Sequence, residues 1–422
     1  MRKISVIGAG PAGLIFTYAL IKRGYDLTLY SDRTPDQWLN DSTPTGTAGL
    51  YRPVVDIERE LGMDFWAQEM HPMQGVLLDF KPTIDGSDKL VVCGSFGGDG
   101  GAIDQRMRVH RWLCDLEALG GRLVIEAVTP RRLDEIAAGS ELTVLAAGKA
   151  DLAAVIPRHP ERSVYSTPQR HLAMVIVAGM RNDHWDDRAD FNPVKFDFFS
   201  DAGEYFWVPY THKTAGKTWC VLWEAKPNSP MDIFMDARSA TEMVERSKSF
   251  IRQYAPWEWE VVKDMRVIEE DPHSWLRGAI APTVRGAFGR MPCGKPVLPL
   301  GDTAITFDPI GGQGGNHASR HAKYLAEQVA ARGDEEFDDA WMTRIGEQWW
   351  EGYARWAYAF NNILLEPMTE PARVLFMAAV KNRAFADKHF VGNFPKPRDF
   401  FPYIEDLEAA RDLVEREAKL AT

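Results

Sequence analysis

The hydrophobic pattern of the chain opens with short apolar runs that alternate with helical periodicity. Lys3 to Ile7 is a β-branched run, as in a buried parallel strand. Residues 14–23 then carry apolar side chains at helical spacing, and Gly24 follows them as a helix stop. A second strand is predicted at residues 27–30. This strand–helix–strand order predicts a parallel α/β unit at the start of the chain.

The pattern changes between residues 165 and 225, where short runs alternate with turn residues. These runs predict an antiparallel sheet with strands at 171–177, 195–199, 205–210 and 218–222. From residue 297 the parallel type returns, with a strand at 297–302 and a helix from about His317 to Arg332. The tail is helical and rich in aromatic residues. The predicted fold class is α/β with α+β insertions: a Rossmann-like nucleotide domain, an inserted antiparallel-sheet domain and a helical C-terminal region.

Composition narrows the classes of function. The 422 residues suffice for two or three domains. Lys and Arg total 49 against 60 Asp and Glu, and this net charge of −11 argues against a nucleic-acid partner. The four cysteines lack metal-ligand spacing and indicate a reducing compartment, and no apolar run is long enough to span a membrane. We therefore expect a cytoplasmic protein that binds no metal. The sequence does not decide whether it forms a homodimer.

The first turn has the glycine spacing of a dinucleotide-binding site. Gly8 allows a tight turn, Gly10 lets the backbone approach a pyrophosphate, and Gly13 lets the helix pack on the strand. The phosphates would then lie at the positive end of the helix. Asp32 is near the offset at which an acid meets the adenosine ribose. The predicted nucleotide-binding residues of this unit are Gly8, Gly10, Pro11, Ala12, Gly13, Ser31, Asp32 and Arg33.

A second glycine-rich stretch decides between dinucleotides. Asp302 at a strand end can bond a ribityl hydroxyl, and a glycine turn before a helix presents free N–H groups to an anion. NAD needs only the first motif, so the pair of motifs indicates FAD. The predicted FAD-binding residues here are Gly301, Asp302, Asp308, Pro309, Gly312, Gln313, Gly314, Gly315 and Asn316, with Gly148 at the end of a middle strand.

Together these motifs resemble the FAD-dependent aromatic hydroxylase superfamily of the p-hydroxybenzoate hydroxylase fold, and more closely the styrene and indole monooxygenases. The resemblance covers essentially the whole chain and implies that Arg106, in the helix near 104–120, contacts the flavin. The matching segments are 30–36, 168–170, 301–302, 308–314, 355–356, Phe360, 364–365 and 393–394. On this basis we divide the chain into FAD-binding parts at 1–160 (Rossmann unit 1–33) and 291–335, an antiparallel-sheet substrate domain at 161–290, and a helical region at 336–422.

The same resemblance implies a partner and a reaction. Single-component hydroxylases carry a middle-strand Asp-Gly pair that serves FAD and NADPH, whereas here the strand ends at 145–149 without one. This favours the two-component subgroup, in which a separate NAD(P)H-dependent flavin reductase supplies FADH2. Reduced flavin and O2 would then give a flavin C4a-peroxide that epoxidises or hydroxylates a small apolar aromatic or alkene. No side-chain acid or base is required, so none is assigned as catalytic.

The substrate cannot be transferred from the family. Styrene-type members carry an Asn-Thr-Val-Ala-His-Asn-like segment where this chain has residues 46–51 without those polar anchors. The antiparallel strands offer aromatic wall candidates that include Phe196 and Trp219, but alternation lets only one face of each strand line a pocket. The substrate residues we select are Thr47, Leu50, Phe198, Tyr205, Trp207 and Trp223.

Other functions compete with this interpretation. The run Trp257 to Val262 superficially resembles a flavin-dependent halogenase motif, but it lacks the final proline, and an amphipathic surface segment explains it better. A single-component aromatic hydroxylase and a flavin dehydrogenase or reductase are further enzymatic alternatives. A non-enzymatic protein that keeps the flavin fold as a binding module is disfavoured, because a decayed site has no reason to keep so many glycines.

Overall fold

The structure is a computed structural model that describes residues 2–44, 46, 49–181 and 189–420. The predicted substrate residue Thr47 lies outside the described residues. The strands are β1 (Lys3–Ile7), β2 (Asp26–Ser31), β3 (Pro72–Lys81), β4 (Leu90–Ile103), β5 (Arg122–Ile125), β6 (Leu142–Leu145), β7 (His171–Ala178), β8 (Pro193–Phe199), β9 (Gly203–His212), β10 (Gly216–Ala225), β11 (Arg266–Val267), β12 (Trp275–Ala279), β13 (Thr283–Val284), β14 (Gly289–Arg290), β15 (Pro296–Pro299) and β16 (Ile305–Thr306).

Helices cover both ends of the chain and join the strands. They are α1 (Pro11–Ile21), α2 (Pro35–Asn40), α3 (Arg52–Glu60), α4 (Gln105–Leu116), α5 (Pro130–Ala138), α6 (Ala150–Ala153), α7 (Ala240–Tyr254), α8 (Trp259–Val262), α9 (Gln313–Arg332), α10 (Asp339–Trp349), α11 (Arg355–Leu365), α12 (Glu370–Lys381), α13 (Arg383–Phe385) and α14 (Leu407–Leu420). Within the described residues, no helix has the length and apolar character needed to cross a bilayer.

A mostly parallel sheet forms the nucleotide-binding half, in the strand order β14-β15-β6-β1-β2-β5. Its strands come from both ends of the sequence, since β15 pairs in parallel with β6. The apolar residues of α1, α4, α9 and α10 cover one face of the sheet, and α5 and α6 cover the other. This three-layer arrangement buries β1 and β6, which explains why apolar residues predominate in them.

A second sheet in the order β11-β7-β10-β9-β4-β3-β8 forms the other half. Its antiparallel strands β7 to β10 are those predicted from the sequence, and the predicted α/β fold class is confirmed. Strands β3 and β4, however, come from residues 72–103, which we had assigned to the FAD-binding part. Helix α7 packs on one face of this sheet, and α11, α12 and α14 cover part of the other.

The segment after α7 has the alternation of an amphipathic segment, since Glu260 is exposed while Val261 and Val262 are buried. Glu258, however, is also fully buried. The Lys195 ammonium lies 3.2 Å from Glu258, 2.8 Å from Asp197 and 3.3 Å from Asp79. Three buried carboxylates thus surround one lysine. Its ammonium occupies the position that a cation would need among them.

Candidate functional site

One cavity of about 640 Å³ runs from the parallel sheet to the antiparallel sheet. This volume is in the range of sites for cofactors and drug-sized ligands. Its walls include Gly8 and Gly10 of the first turn and Gly312 and Gly314 of the second. The two glycine motifs therefore face one space, although some 300 residues separate them in the sequence.

The three glycines of the first turn differ in what surrounds them. Gly8 has φ of +114°, and a Cβ there would lie 2.5 Å from the Ala146 carbonyl oxygen. A Cβ on Gly13 would lie 2.1 Å from the Gly8 carbonyl oxygen, so it has no room where α1 packs on β1. A Cβ on Gly10 would meet no atom within 4 Å. Gly10 leaves open space at the N-terminus of α1, where a pyrophosphate would bind.

The strand end of β2 forms one end of the cavity. Asp32 and Arg33 line it, and Asp32 pairs with Lys149 at 3.1 Å between Oδ2 and Nζ. The Ser31 hydroxyl points elsewhere, because it donates to the Arg33 carbonyl at 2.6 Å and accepts from the Trp38 indole at 3.1 Å. Asp32 is therefore placed to accept from a ribose, while Ser31 holds the shape of the turn.

Residues 301–315 form the floor next to α9. Asp302 faces the cavity, and the turn from Asp308 to Gly315 curves around its middle. Gly312 has φ of +61°, which glycine adopts without strain. Gly301 lies behind this surface, since a Cβ there would meet Ala12 Cβ at 3.0 Å. Pro11, Ala12, Gly148, Pro309 and Gly315 also line the cavity.

Two residues predicted to bind FAD are instead braces of this turn. The Asn316 amide donates to the Gly312 carbonyl at 2.7 Å and accepts from the Tyr51 backbone N–H at 2.9 Å. The Gln313 amide donates to the Gly311 carbonyl at 2.9 Å. Both side chains are buried and are not part of the cavity wall. These side chains therefore shape the turn and do not line the cavity.

Arg106 is also corrected. Its guanidinium is fully buried away from the cavity and donates to Asp104 at 2.9 Å and to Asp271 at 2.6 Å. The neighbouring Gln105 and Arg108 line the cavity instead. Arg108 pairs with Glu58 in a short contact. Helix α4 borders the cavity, as predicted. The Arg106 side chain, however, projects from the face of α4 that points away from the cavity.

The antiparallel sheet contributes an apolar wall. All of its cavity-lining side chains among the described residues are hydrocarbon or thioether: Met73, Val76, Phe96, Leu172, Met174, Val194, Phe196, Phe206, Val208, Leu222 and Leu276. Phe196 stacks on Phe206 with ring centroids 4.3 Å apart. Leu50, predicted as a substrate residue, also lines the cavity. The wall offers contact area without hydrogen-bonding groups.

Four predicted substrate residues do not belong to that wall. Tyr205, Trp207 and Trp223 lie on the opposite face of β9 and β10, in the core beneath α7. Phe198 is on the cavity side of its strand but stacks on Phe80, 5.6 Å between centroids, beyond the cavity. The aromatic residues that the antiparallel sheet contributes to the cavity are therefore Phe96, Phe196 and Phe206 rather than the residues that we selected.

A buried acid cluster lies behind the second glycine turn. Glu204 and Glu224 face each other across β9 and β10, and the Arg170 Nε donates to Glu204 at 2.9 Å. Asp308 joins them from the turn and also lines the cavity. Burial and the nearby carboxylates of Asp308 and Glu204 raise the pKa of Glu224 well above its usual range. Sequence reasoning named Arg170 only as a matching residue and Asp308 as an FAD-binding residue, and it missed the two glutamates.

Residues 148–260 match the family model of the styrene monooxygenase A substrate binding domain. Styrene monooxygenase StyA from Pseudomonas fluorescens is 26% identical over 343 residues, which is 78% of each protein. A second StyA, from a Pseudomonas species, is 25% identical over the same share.

Solved structures agree on the fold. A flavoprotein/dehydrogenase from Cytophaga hutchinsonii superposes with a TM-score of 0.66 at 14% identity, over 99% of this chain and 98% of that one. A flavin-dependent brominase gives a TM-score of 0.64 at 13% identity, over 99% and 98%. The oxygenase of 2-methyl-3-hydroxypyridine-5-carboxylic acid gives 0.57 at 15% identity, over 91% and 97%. The comparisons agree with the resemblance found in the sequence: over 78% of its length the chain is similar to styrene monooxygenase StyA, which supports an FAD-dependent monooxygenase.

Proposed function

We propose that this protein is the oxygenase component of a two-component flavin monooxygenase. It would take FADH2 from a separate NAD(P)H-dependent reductase and use O2 to epoxidise or hydroxylate a small apolar aromatic or alkene. The observation that carries the proposal is one continuous cavity that joins the nucleotide cradle to an apolar wall.

The residues present fit FAD. The open space at Gly10 leaves room for the pyrophosphate at the N-terminus of α1, and Asp32 can accept from the adenosine ribose. Asp302 would accept from the ribityl chain, and Gly314 and Gly315 would present the backbone N–H groups of the first turn of α9 to the cofactor. When bound, the reduced cofactor supplies the activation of O2.

The protein itself would orient the substrate and keep water out of the site. The hydrocarbon side chains of β7, β9 and β10 would hold an apolar ring by contact area alone, at about 25 cal/mol for each Å² buried. A dry wall also keeps water from the reacting centre. Because this wall has no hydrogen-bonding group among its described side chains, we infer that substrates are selected by shape rather than by polar contacts.

The test supplies purified protein with FAD, NADH and O2, with and without an unrelated flavin reductase, over vinylarenes, indoles and sulfides. We expect oxygenated product only when the reductase is present. Oxidation of NADH without the reductase would instead identify a single-component hydroxylase. Halide-dependent product would identify a halogenase, and turnover without O2 would identify a dehydrogenase.

A further inference from the structure

Two thioether sulfurs interrupt the hydrocarbon wall of the cavity. Among the described residues, Met73 of β3 and Met174 of β7 are the methionines that line it. Met174 is 0% exposed, whereas Met73 keeps 3% of its surface accessible. A thioether sulfur is polarizable and accepts an oxygen atom to become a sulfoxide, whereas the neighbouring alkyl side chains have no such lone pairs. Met73 is therefore the residue of this wall best able to react with an oxidant in the cavity.

Contacts place the Met73 sulfur beside the second glycine turn. A Cβ on Gly49 would lie 3.3 Å from the Met73 Sδ and 3.7 Å from the Val208 Cγ1. The Gly49 carbonyl accepts from the Asn316 amide at 2.9 Å, and the same amide donates to the Gly312 carbonyl at 2.7 Å. Gly49, Val208 and Gly312 all line the cavity. The thioether thus lies where the apolar wall meets the turn.

The space for this side chain depends on two glycines. Gly49 lies against the sulfur, and a Cβ on Gly100 would lie 3.0 Å from the Met73 Cε. A larger residue at either position would press on the thioether. An unbranched methionine fills such an irregular gap, which gives Met73 a packing role. The same fit holds its sulfur at the cavity surface.

We propose that Met73 is a modification site of this protein, and that reduced flavin and O2 oxygenate its sulfur when the cavity holds no substrate. The inference rests on the proposed function, which supplies both reactants. The balance is FADH2 + O2 + thioether giving FAD + H2O + sulfoxide. The O–O bond breaks, one oxygen forms the S–O bond, and the other leaves as water with the two hydrogens of the flavin. Flavin and sulfur each lose two electrons, which O2 accepts.

Oxygenation changes this part of the wall from apolar to polar. A sulfoxide carries a strong acceptor oxygen, and a buried acceptor without a donor is unfavourable. The described side chains that the antiparallel sheet turns to the cavity include no donor. The modified protein therefore binds apolar substrates more weakly. Turnover without substrate inactivates the enzyme, and bound substrate protects it.

The first experiment follows the oxygen atom into the protein. The full-length protein receives FAD, NADH, a flavin reductase, catalase and ¹⁸O2 without substrate, and mass spectrometry then locates the label. Met73 should carry ¹⁸O in at least about tenfold excess over Met70 and Met368, because its sulfur is held at the site of the reaction. Met70 is half-buried and outside the cavity wall, and Met368 is 41% exposed, so both report free H2O2. A vinylarene that is turned over should suppress the label on Met73.

The second experiment tests access to the sulfur without flavin. Cumene hydroperoxide is an apolar oxidant that transfers one oxygen atom to a thioether and leaves as the alcohol. Added to the protein without FAD, it should oxidise Met73 but not Met231 or Met243, which are fully buried on the opposite face of the same sheet. Equal resistance of Met73 and Met231 would show that the cavity does not present the sulfur, and would overturn the proposal.

Met73→Leu separates the chemical role from the packing role, because leucine is close to methionine in volume and has no sulfur. Each protein is compared with its own initial rate after turnover without substrate in the presence of catalase. The wild type and Met70→Leu should lose most of their initial rate, whereas Met73→Leu should retain several-fold more. Loss of activity in Met73→Leu as fast as in the wild type would refute the link to inactivation. Should Met73→Leu not fold, the label in the wild type decides.

The outcomes distinguish this inference from the proposed function. A wild type that forms oxygenated product but leaves Met73 unlabelled, or labels Met70 and Met368 equally, overturns the inference and leaves the proposed function standing. A wild type that forms no O2-dependent product from any substrate tested refutes the proposed function, while the cumene hydroperoxide result still reports whether the sulfur faces the cavity.

Discussion

The three glycines of the first turn make a sharp test of the FAD site, because substitution should separate stability from binding. In Gly10→Ala the new methyl group enters open space, and the native φ of −70° and ψ of 173° suit any L-residue. Alanine also restricts the unfolded chain, which stabilises by about 0.4–1 kcal/mol when the native backbone is compatible. We therefore expect an unchanged or slightly higher free energy of unfolding.

The same methyl group should disrupt ligand binding. It projects toward the space in which the pyrophosphate would approach the backbone of the α1 N-terminus. We expect FAD affinity to fall at least about tenfold, equivalent to about 1.4 kcal/mol. Gly13→Ala should behave in the opposite way, because its methyl group would overlap the Gly8 carbonyl oxygen at 2.1 Å. The backbone must then shift, at a cost of about 1–3 kcal/mol in stability.

The assay combines urea unfolding with titration of FAD by fluorescence quenching. Gly352→Ala is the matched control, since it also meets no atom within 4 Å but lies in a helical turn away from the cavity. It should leave FAD affinity unchanged and increase stability slightly. The reasoning is refuted if Gly10→Ala binds FAD as tightly as the wild type. It is equally refuted if Gly10→Ala loses as much stability as Gly13→Ala.

Three further predictions concern other parts of the molecule. Val208→Phe should reduce the turnover of bulky substrates without weakening FAD binding, because Val208 lines the apolar wall of the cavity. Val221 lies on the opposite face of the sheet, so Val221→Phe should instead lower the free energy of unfolding in urea by about 1–3 kcal/mol. Asp32→Asn should weaken FAD binding by about tenfold in fluorescence titration, yet change Tm little, because its ion pair with the half-exposed Lys149 is worth about 0–1 kcal/mol. Lys195→Met should lower the free energy of unfolding by about 3–5 kcal/mol. The loss should be larger at about pH 8 than at about pH 5.5, because the buried carboxylates left without a cation are tolerated only when they are protonated. Equal losses at both pH values would contradict this.

The sequence predicted the nucleotide half well because its signals are local. Glycine spacing, strand runs and helix stops all depend on near neighbours, and the structure arranges them as predicted. The antiparallel sheet was harder, because every residue of β9 is buried. With apolar side chains on both faces, alternation shows that Tyr205 and Phe206 point apart but not which of them faces the cavity. The large aromatic residues fill the core beneath α7 instead.

Strands β3 and β4 were missed for a related reason. Glycine is depleted in strands, and β4 is rich in it, so its sequence does not indicate a strand. Its glycines serve contacts that are distant in sequence: a Cβ on Gly94 would lie 2.7 Å from Val391 Cβ. A close approach between residues almost 300 positions apart leaves no local pattern. The acid cluster was not predicted for the same reason, because Glu224 and Asp308 come near each other only in the folded chain.

The second glycine turn explains why the C-terminal region belongs to the site. A turn with so many glycines has few side chains of its own to fix its shape, and ordering each residue costs about 1–2 kcal/mol. The shape must therefore be imposed from outside. Asn361 of α11 accepts the Gly311 backbone N–H at 3.0 Å, and the Phe394 carbonyl accepts from Gln313 at 3.1 Å. Because Phe394 also lines the cavity, the C-terminal helices position the turn and complete the wall, and their integrity is a condition for the activity that we propose.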